Sequence, residues 1–215
     1  MKSITLVAAA ALLCAPCAWS AVIGDVDGIP VEDSYSVDGA KLVLNGAGVR
    51  KRSYFKTDVS AIYLTEPRNT PEGIESAPGA KRLQLVLVKD IPGSTISRYF
   101  IADFQAVATE AEFKQLINEI GLLGEIYSKI RQVNKGDVIN IDWTPGKGVH
   151  STINGKPLMV SGNVTPYLNN ELLYRVMLRM YIKASGSAEM RDNLLGRSRS
   201  MLNTASAAVN PPRTP

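Results

Sequence analysis

The segment Leu42–Leu64 reads LVLNGAGVRKRSYFKTDVSAIYL, and its reading decides the fold. Leu42, Val43 and Leu44 form an apolar run that enters the small residues Asn45-Gly46-Ala47-Gly48. Beyond Val49 and Arg50 the chain turns apolar and aromatic again, through Tyr54, Phe55, Val59, Ile62, Tyr63 and Leu64. This pattern predicts two strands joined at a glycine turn over Asn45–Gly48. Arg50 then lies just past the turn, where an emerging strand can aim its guanidinium inward. A guanidinium is suited to gripping a carboxylate or an enolate with two donors at once.

Outward from this segment, the chain divides into three parts. Residues 1–20 carry Lys2, an apolar run from Ile4 to Leu13 and small residues around Ala18, which predicts a signal peptide cleaved after Ser20. The run is too short for a permanent membrane span. Both cysteines, Cys14 and Cys17, fall inside it, so disulfide, thiolate and cysteine–metal chemistry is excluded from the mature protein. Removing Lys2 lowers the net charge from +4 to about +3, which does not mark a nucleic-acid binder. Residues 21–196 are expected to form one domain, and residues 197–215, small, polar and proline-tipped, a disordered tail. The expected location is periplasmic or secreted.

Within the domain, Ala21 to Pro30 reads as a lead-in. Asp38-Gly39 and Asn154-Gly155 are hairpin signals. Arg82 to Lys89 alternates like a strand, and Asp137 to Ser161 like a three-stranded meander. Ser94 is placed to cap a helix running to Ala108, with Ile96, Phe100, Phe104 and Val107 on one side and Asp103 on that same side. Thr109-Glu110-Ala111-Glu112 is a capping box, opening a helix expected to kink or break at Gly121 and Gly124. Helices are also expected over Pro166–Ile182 and Ser187–Leu195, the last ended by Gly196. Strands, helices, a meander and helices again give an α+β fold with a mostly antiparallel sheet.

Several chemistries have no signal here. His150, the one histidine, reads as a solvated strand residue. There is no metal-ligand cluster, phosphate loop, dinucleotide fingerprint or serine–histidine–aspartate set, and no cofactor is expected. Asn163-Val164-Thr165 fits the glycosylation pattern.

Asn45-Gly46-Ala47-Gly48-Val49-Arg50, then Phe55-Lys56 and Ala61-Ile62-Tyr63-Leu64, resemble the chalcone isomerase family, and in particular its bacterial exported branch. The likeness continues through Leu85 to Asp90, Lys135-Gly136-Asp137-Val138-Ile139 and Ile153-Asn154-Gly155-Lys156, in the family's order. It implies an open-faced sandwich: a large antiparallel sheet covered on one face by helices, with a cleft between them. In the plant enzymes that cleft closes a flavanone ring; in related fatty-acid-binding members it holds an acyl chain with its carboxylate on the arginine. Carried over position by position, the family arginine is Arg50. A threonine falls at Asp58, the catalytic tyrosine at Ile96, an asparagine at Asp103, and a serine or threonine near Met180. Ring closure needs donors aimed at a developing oxyanion, which Ile96 and Met180 lack and which Asp58 and Asp103 would oppose when ionised.

The resemblance therefore implies a non-catalytic exported binder of a small apolar acid such as a fatty acid, with Arg50, Asp58, Ile96, Asp103 and Met180 at the ligand. The alternatives are an isomerase or intramolecular lyase with a rearranged site, and a cleft filled by side chains in which Asp58 pairs with Arg50 and leaves no cavity.

Overall fold

The computed structural model describes residues 20–159, 167–184 and 187–198. The signal peptide apart from Ser20, the glycosylation pattern at Asn163 and the tail beyond Ser198 lie outside the described residues. Arg197 is held in place: its Nε donates to the Asn69 carbonyl at 2.8 Å.

Among the described residues, twelve strands and six helices follow in order. The first five strands are β1 (Val22–Val26), β2 (Ile29–Glu32), β3 (Ser34–Val37), β4 (Ala40–Arg52) and β5 (Phe55–Leu64). After α1 (Pro71–Glu75) come β6 (Lys81–Leu87), β7 (Ile91–Pro92), α2 (Gly93–Val107), α3 (Glu110–Gln115) and α4 (Ile117–Lys129). Then follow β8 (Gln132–Val133), β9 (Val138–Thr144), β10 (Gly148–Ile153), β11 (Lys156–Pro157) and β12 (Tyr167–Leu168). Helix α5 (Glu171–Arg179) runs into a π-helical segment, Met180–Ala184, and α6 (Ala188–Leu194) follows. The main sheet is antiparallel in the order β11-β10-β9-β6-β5-β4-β3, with β12 also paired to β10. Leu83, Leu85, Ile141 and Trp143 of this sheet pack against Phe100, Phe104, Leu123, Leu173 and Met177 of the helices as one core. This is the open-faced α+β sandwich.

The opening segment folds differently from expectation. Asn45–Gly48 is no turn: β4 continues through it with a bulge at Asn45, and the reversal falls at Ser53-Tyr54. Gly46 pairs with Ile62, Gly48 with Ser60 and Arg50 with Asp58, so all three sit mid-strand on one face. The glycines are needed because α6 lies against them. A Cβ built on Gly46 would stand 1.9 Å from the Asn193 carbonyl oxygen. The Asn45 side chain fixes the same contact, donating from Nδ2 to the Leu194 carbonyl at 2.7 Å.

Four further expectations are corrected. Ala21 to Pro30 is a hairpin rather than a lead-in: Asp27 and Gly28 take φ of 55° and 77°, and β1 and β2 cover the outer face of the sheet through Val26 and Val31. Helix α4 passes unbroken through Gly121 and Gly124, where a Cβ would meet nothing; the break is at Leu116, between α3 and α4. Helix α2 starts at Gly93 behind Pro92 without a side-chain cap, so Ser94 is not its cap. Helix α5 starts at Glu171, capped by Asn170, and Tyr167–Leu168 before it is strand. The Thr109–Glu112 capping box and the Asp38-Gly39 and Asn154-Gly155 turns form as the sequence predicts.

Candidate functional site

Past Gly48 the helical cover withdraws from β4, and the next two residues on that face, Arg50 and Arg52, enter the space it leaves. They stand at one end of a cavity of about 70 Å³ between sheet and helices. Leu85 and Leu87 of β6 and Ile139 and Ile141 of β9 form its floor. Ile96, Tyr99, Phe100 and Asp103 of α2, Tyr127 of α4, and Met177, Met180 and Tyr181 form its roof. The π-helical turn brings Met180 and Tyr181 to the lining together, one of the uses to which such bulges are put.

Arg50 is held from below. Its Nε and Nη2 each lie 2.8 Å from Oδ2 of Asp58, whose side chain is fully buried. Asp58 also accepts from the Thr57 hydroxyl at 2.9 Å and the Ser60 hydroxyl at 2.6 Å, so its acceptor capacity is used within the protein. The Tyr181 ring lies 4.7 Å from the guanidinium carbon. Burial disfavours the Arg50 charge, but Asp58 outweighs it, and the net shift keeps the guanidinium more firmly protonated than usual. Burial also pushes the Tyr181 phenol up to about 12, so it remains a proton donor at neutral pH.

A second pair closes the mouth. Arg52 grips Asp103 with both Nη1 and Nη2, the former at 3.0 Å, and lies 4.1 Å over the Tyr99 ring. The Asp103 carboxylate is also 3.8 Å from Nη1 of Arg50. The site thus holds two guanidiniums and two carboxylates. Asp103 sits between the two cations. Nε of Arg52 is buried and has no hydrogen-bond partner among the described residues.

Of the residues expected from sequence, Arg50, Ile96, Asp103 and Met180 meet at the cavity. Asp58 does not line it but lies beneath, anchoring Arg50. Arg52, Tyr99, Tyr127 and Tyr181 were not anticipated. Arg52 was legible once Gly46 to Arg52 is read as strand, since alternate residues share a face. Tyr181 follows Met177 by one helical turn. His150 is half-buried rather than solvated: it stacks on Tyr167 with ring centroids 5.0 Å apart, and burial lowers its pKa. Among the described residues no group of three or more His, Cys, Asp or Glu is placed to hold a metal ion. Nor is any described helix long and apolar enough to cross a membrane.

A curled antiparallel sheet roofed on one face by helices, with an arginine entering the gap, defines a class of fold, and sequence comparison gives its family. Residues 23–196 match the profile described as chalcone isomerase-like, and the chain belongs to that family. Among solved structures, it is similar to the crystal structure of an Arabidopsis thaliana fatty-acid binding protein. The TM-score is 0.63 at 14% identity, over 85% of this chain and 98% of that chain. No curated protein sequence matches it.

Proposed function

We propose that this protein is a non-catalytic binder from an exported, bacterial branch of the chalcone isomerase-like family. Its ligand is a small apolar acid of the fatty-acid type. The observation that supports this reading most directly is the cavity itself: apolar floor and roof, with the cations Arg50 and Arg52 gathered at one end. Such a gradient matches an acyl chain with a carboxylate head. The Arabidopsis protein of like fold, a fatty-acid binding protein, agrees with it.

The cavity's 70 Å³ falls well short of the roughly 300 Å³ of an ordinary ligand site. Binding therefore requires the wall to yield. Met177 and Met180, unbranched and flexible, are the lining side chains best able to move aside. The head group takes the place of Asp103 against Arg52 and Nη1 of Arg50. An enolate would meet the same Asp103 carboxylate, and Ile96 and Met180 offer it no hydrogen-bond donor, which argues against ring-closing chemistry.

The test is direct. The purified protein is extracted with organic solvent and the extract analysed by mass spectrometry, and a fluorescent fatty acid is titrated into the delipidated protein. Recovery of an apolar carboxylic acid near one per chain, displaceable by the probe, is expected. Neither co-purified acid nor saturable probe binding would leave the cavity as packing space only. Flavanone formed from chalcone above the uncatalysed rate would move the protein to the isomerases.

A further inference from the structure

The tip of the β4–β5 hairpin carries the most exposed large apolar side chains of the described residues. Tyr54 is 95% exposed and Phe55 63%. Side by side at a turn, the two rings form one contiguous exposed apolar patch, the feature that marks interaction sites. Cations predominate around them. Lys51 and Lys56 flank the tip on its own strands, Lys89 lies with its ammonium 4.7 Å over the Phe55 ring, and Arg98 lies 5.9 Å from the Tyr99 ring. Lys56 is tied to Asp27. Lys51, Lys89 and Arg98 are exposed, and no described carboxylate pairs with them.

We propose that this tip docks on an anionic lipid surface, with Tyr54 and Phe55 entering the headgroup boundary and Lys51, Lys89 and Arg98 lying against the lipid phosphates. Aromatic side chains favour that boundary, and cations beside them gain from the negative surface potential. A protein partner fits less well. Two side chains at a turn present far less than the roughly 800 Å² per partner that a stable protein interface uses. A bilayer needs no such area, because insertion depth and charge supply the binding.

The position of the tip gives docking a purpose. Arg52, which pairs with Phe55 across the hairpin, is a lining residue of the cavity and packs on Tyr99, another. A docked tip therefore sets the cavity mouth against the bilayer, and an acyl chain could pass between them without crossing water. That passage rests on the binder reading. Docking itself does not, and the following test uses no cavity ligand.

The full chain is sedimented with vesicles of neutral phosphatidylcholine, and with vesicles carrying about 30% phosphatidylglycerol, at low and high salt. Two variants are compared with it: Tyr54→Ser/Phe55→Ser and Lys51→Glu/Lys89→Glu. All four positions are exposed, so both variants are expected to unfold at the parent's temperature, which a thermal melt verifies. Binding to the anionic vesicles that weakens with salt is expected. The aromatic variant should lose about tenfold in partitioning, and the charge variant its preference for anionic over neutral vesicles. Equal partitioning of parent and aromatic variant overturns the proposal. So does no sedimentation of the parent with either vesicle.

Discussion

Replacing Arg50 by methionine removes the counter-charge from an aspartate with nowhere to go. Asp58 is wholly buried on the central strand β5, and Arg50 supplies both of its charged contacts, at 2.8 Å each. Once Arg50 is gone, only the Thr57 and Ser60 hydroxyls remain. Breaking a buried pair in this way costs about 3–5 kcal/mol, equivalent to a fall of about 6–20 °C in Tm for a domain of this size. Neutralising both members should cost much less, because most of the loss is the stranded charge and not the missing bond. The assay is urea unfolding of the parent, Arg50→Met, Asp58→Asn and the double variant, analysed as a thermodynamic cycle. The double variant is expected to recover at least half of what Arg50→Met loses. The reasoning is refuted if Arg50→Met loses less than about 1 kcal/mol, or if the double variant is no more stable than that single one. The cycle also decides how ligand binding can be read. A failure of Arg50→Met to bind would report unfolding as readily as a lost grip, whereas the folded double variant isolates the grip.

Asp103→Asn leaves Arg52 and Nη1 of Arg50 without their competing carboxylate, and should tighten binding of an acyl anion by about tenfold in a fluorescent fatty-acid titration; unchanged or weaker binding removes Asp103 from the site. Gly46→Ala forces a Cβ into the Asn193 carbonyl and should cost about 3 kcal/mol or more, while Gly121→Ala, where a Cβ meets nothing, should gain up to about 1 kcal/mol; thermal melts compare the two. Arg179 bonds Glu75 at 2.9 Å and Glu112 at 2.8 Å, tying α5 to α1 and α3, and Arg179→Ala should lose about 2 kcal/mol in the same melts. The hydrogen bond from Arg179 holds the Glu112 carboxyl below its usual pKa. In acid the unfolded chain therefore binds its proton first, and stability should fall as the pH drops below about 4.5 and through the folded value. The slope of stability against pH in that window should be shallower in Arg179→Ala, and an identical slope would discount the linkage.

How far the sequence could be read depended on whether the deciding partner was near or far along the chain. Asp38-Gly39 and Asn154-Gly155 declare their hairpins because both residues of each pair must take positive φ, a demand that is met locally. Asp27-Gly28 carries the same signal but was masked by Gly24 and Pro30 on either side. Asn45–Gly48 shows the opposite limit. Dense glycine serves a turn and a close packing contact equally well, and the helix that decides between them lies 149 residues away, counted from Asn45 to Leu194. The same misreading hid Arg52, since a turn at the glycines gives no reason to project the strand's alternation two residues past Arg50. Arg50 and its pairing with Asp58 were legible as chemistry. That Asp103 would stand between two arginines depended on how α2 lies across the sheet, which no local pattern encodes.

The seating of α6 on bare backbone at Gly46 and Gly48 makes the carboxyl-terminal end of the domain its keystone. A chain cut short before Ala188 would keep every strand of the main sheet yet leave a glycine-floored trench across β4, with the Asn45 amide deprived of its acceptor. The wall that carries Arg50 and Arg52 would then be braced on one side only. The strand that carries both arginines thus takes part of its support from the last helix of the domain.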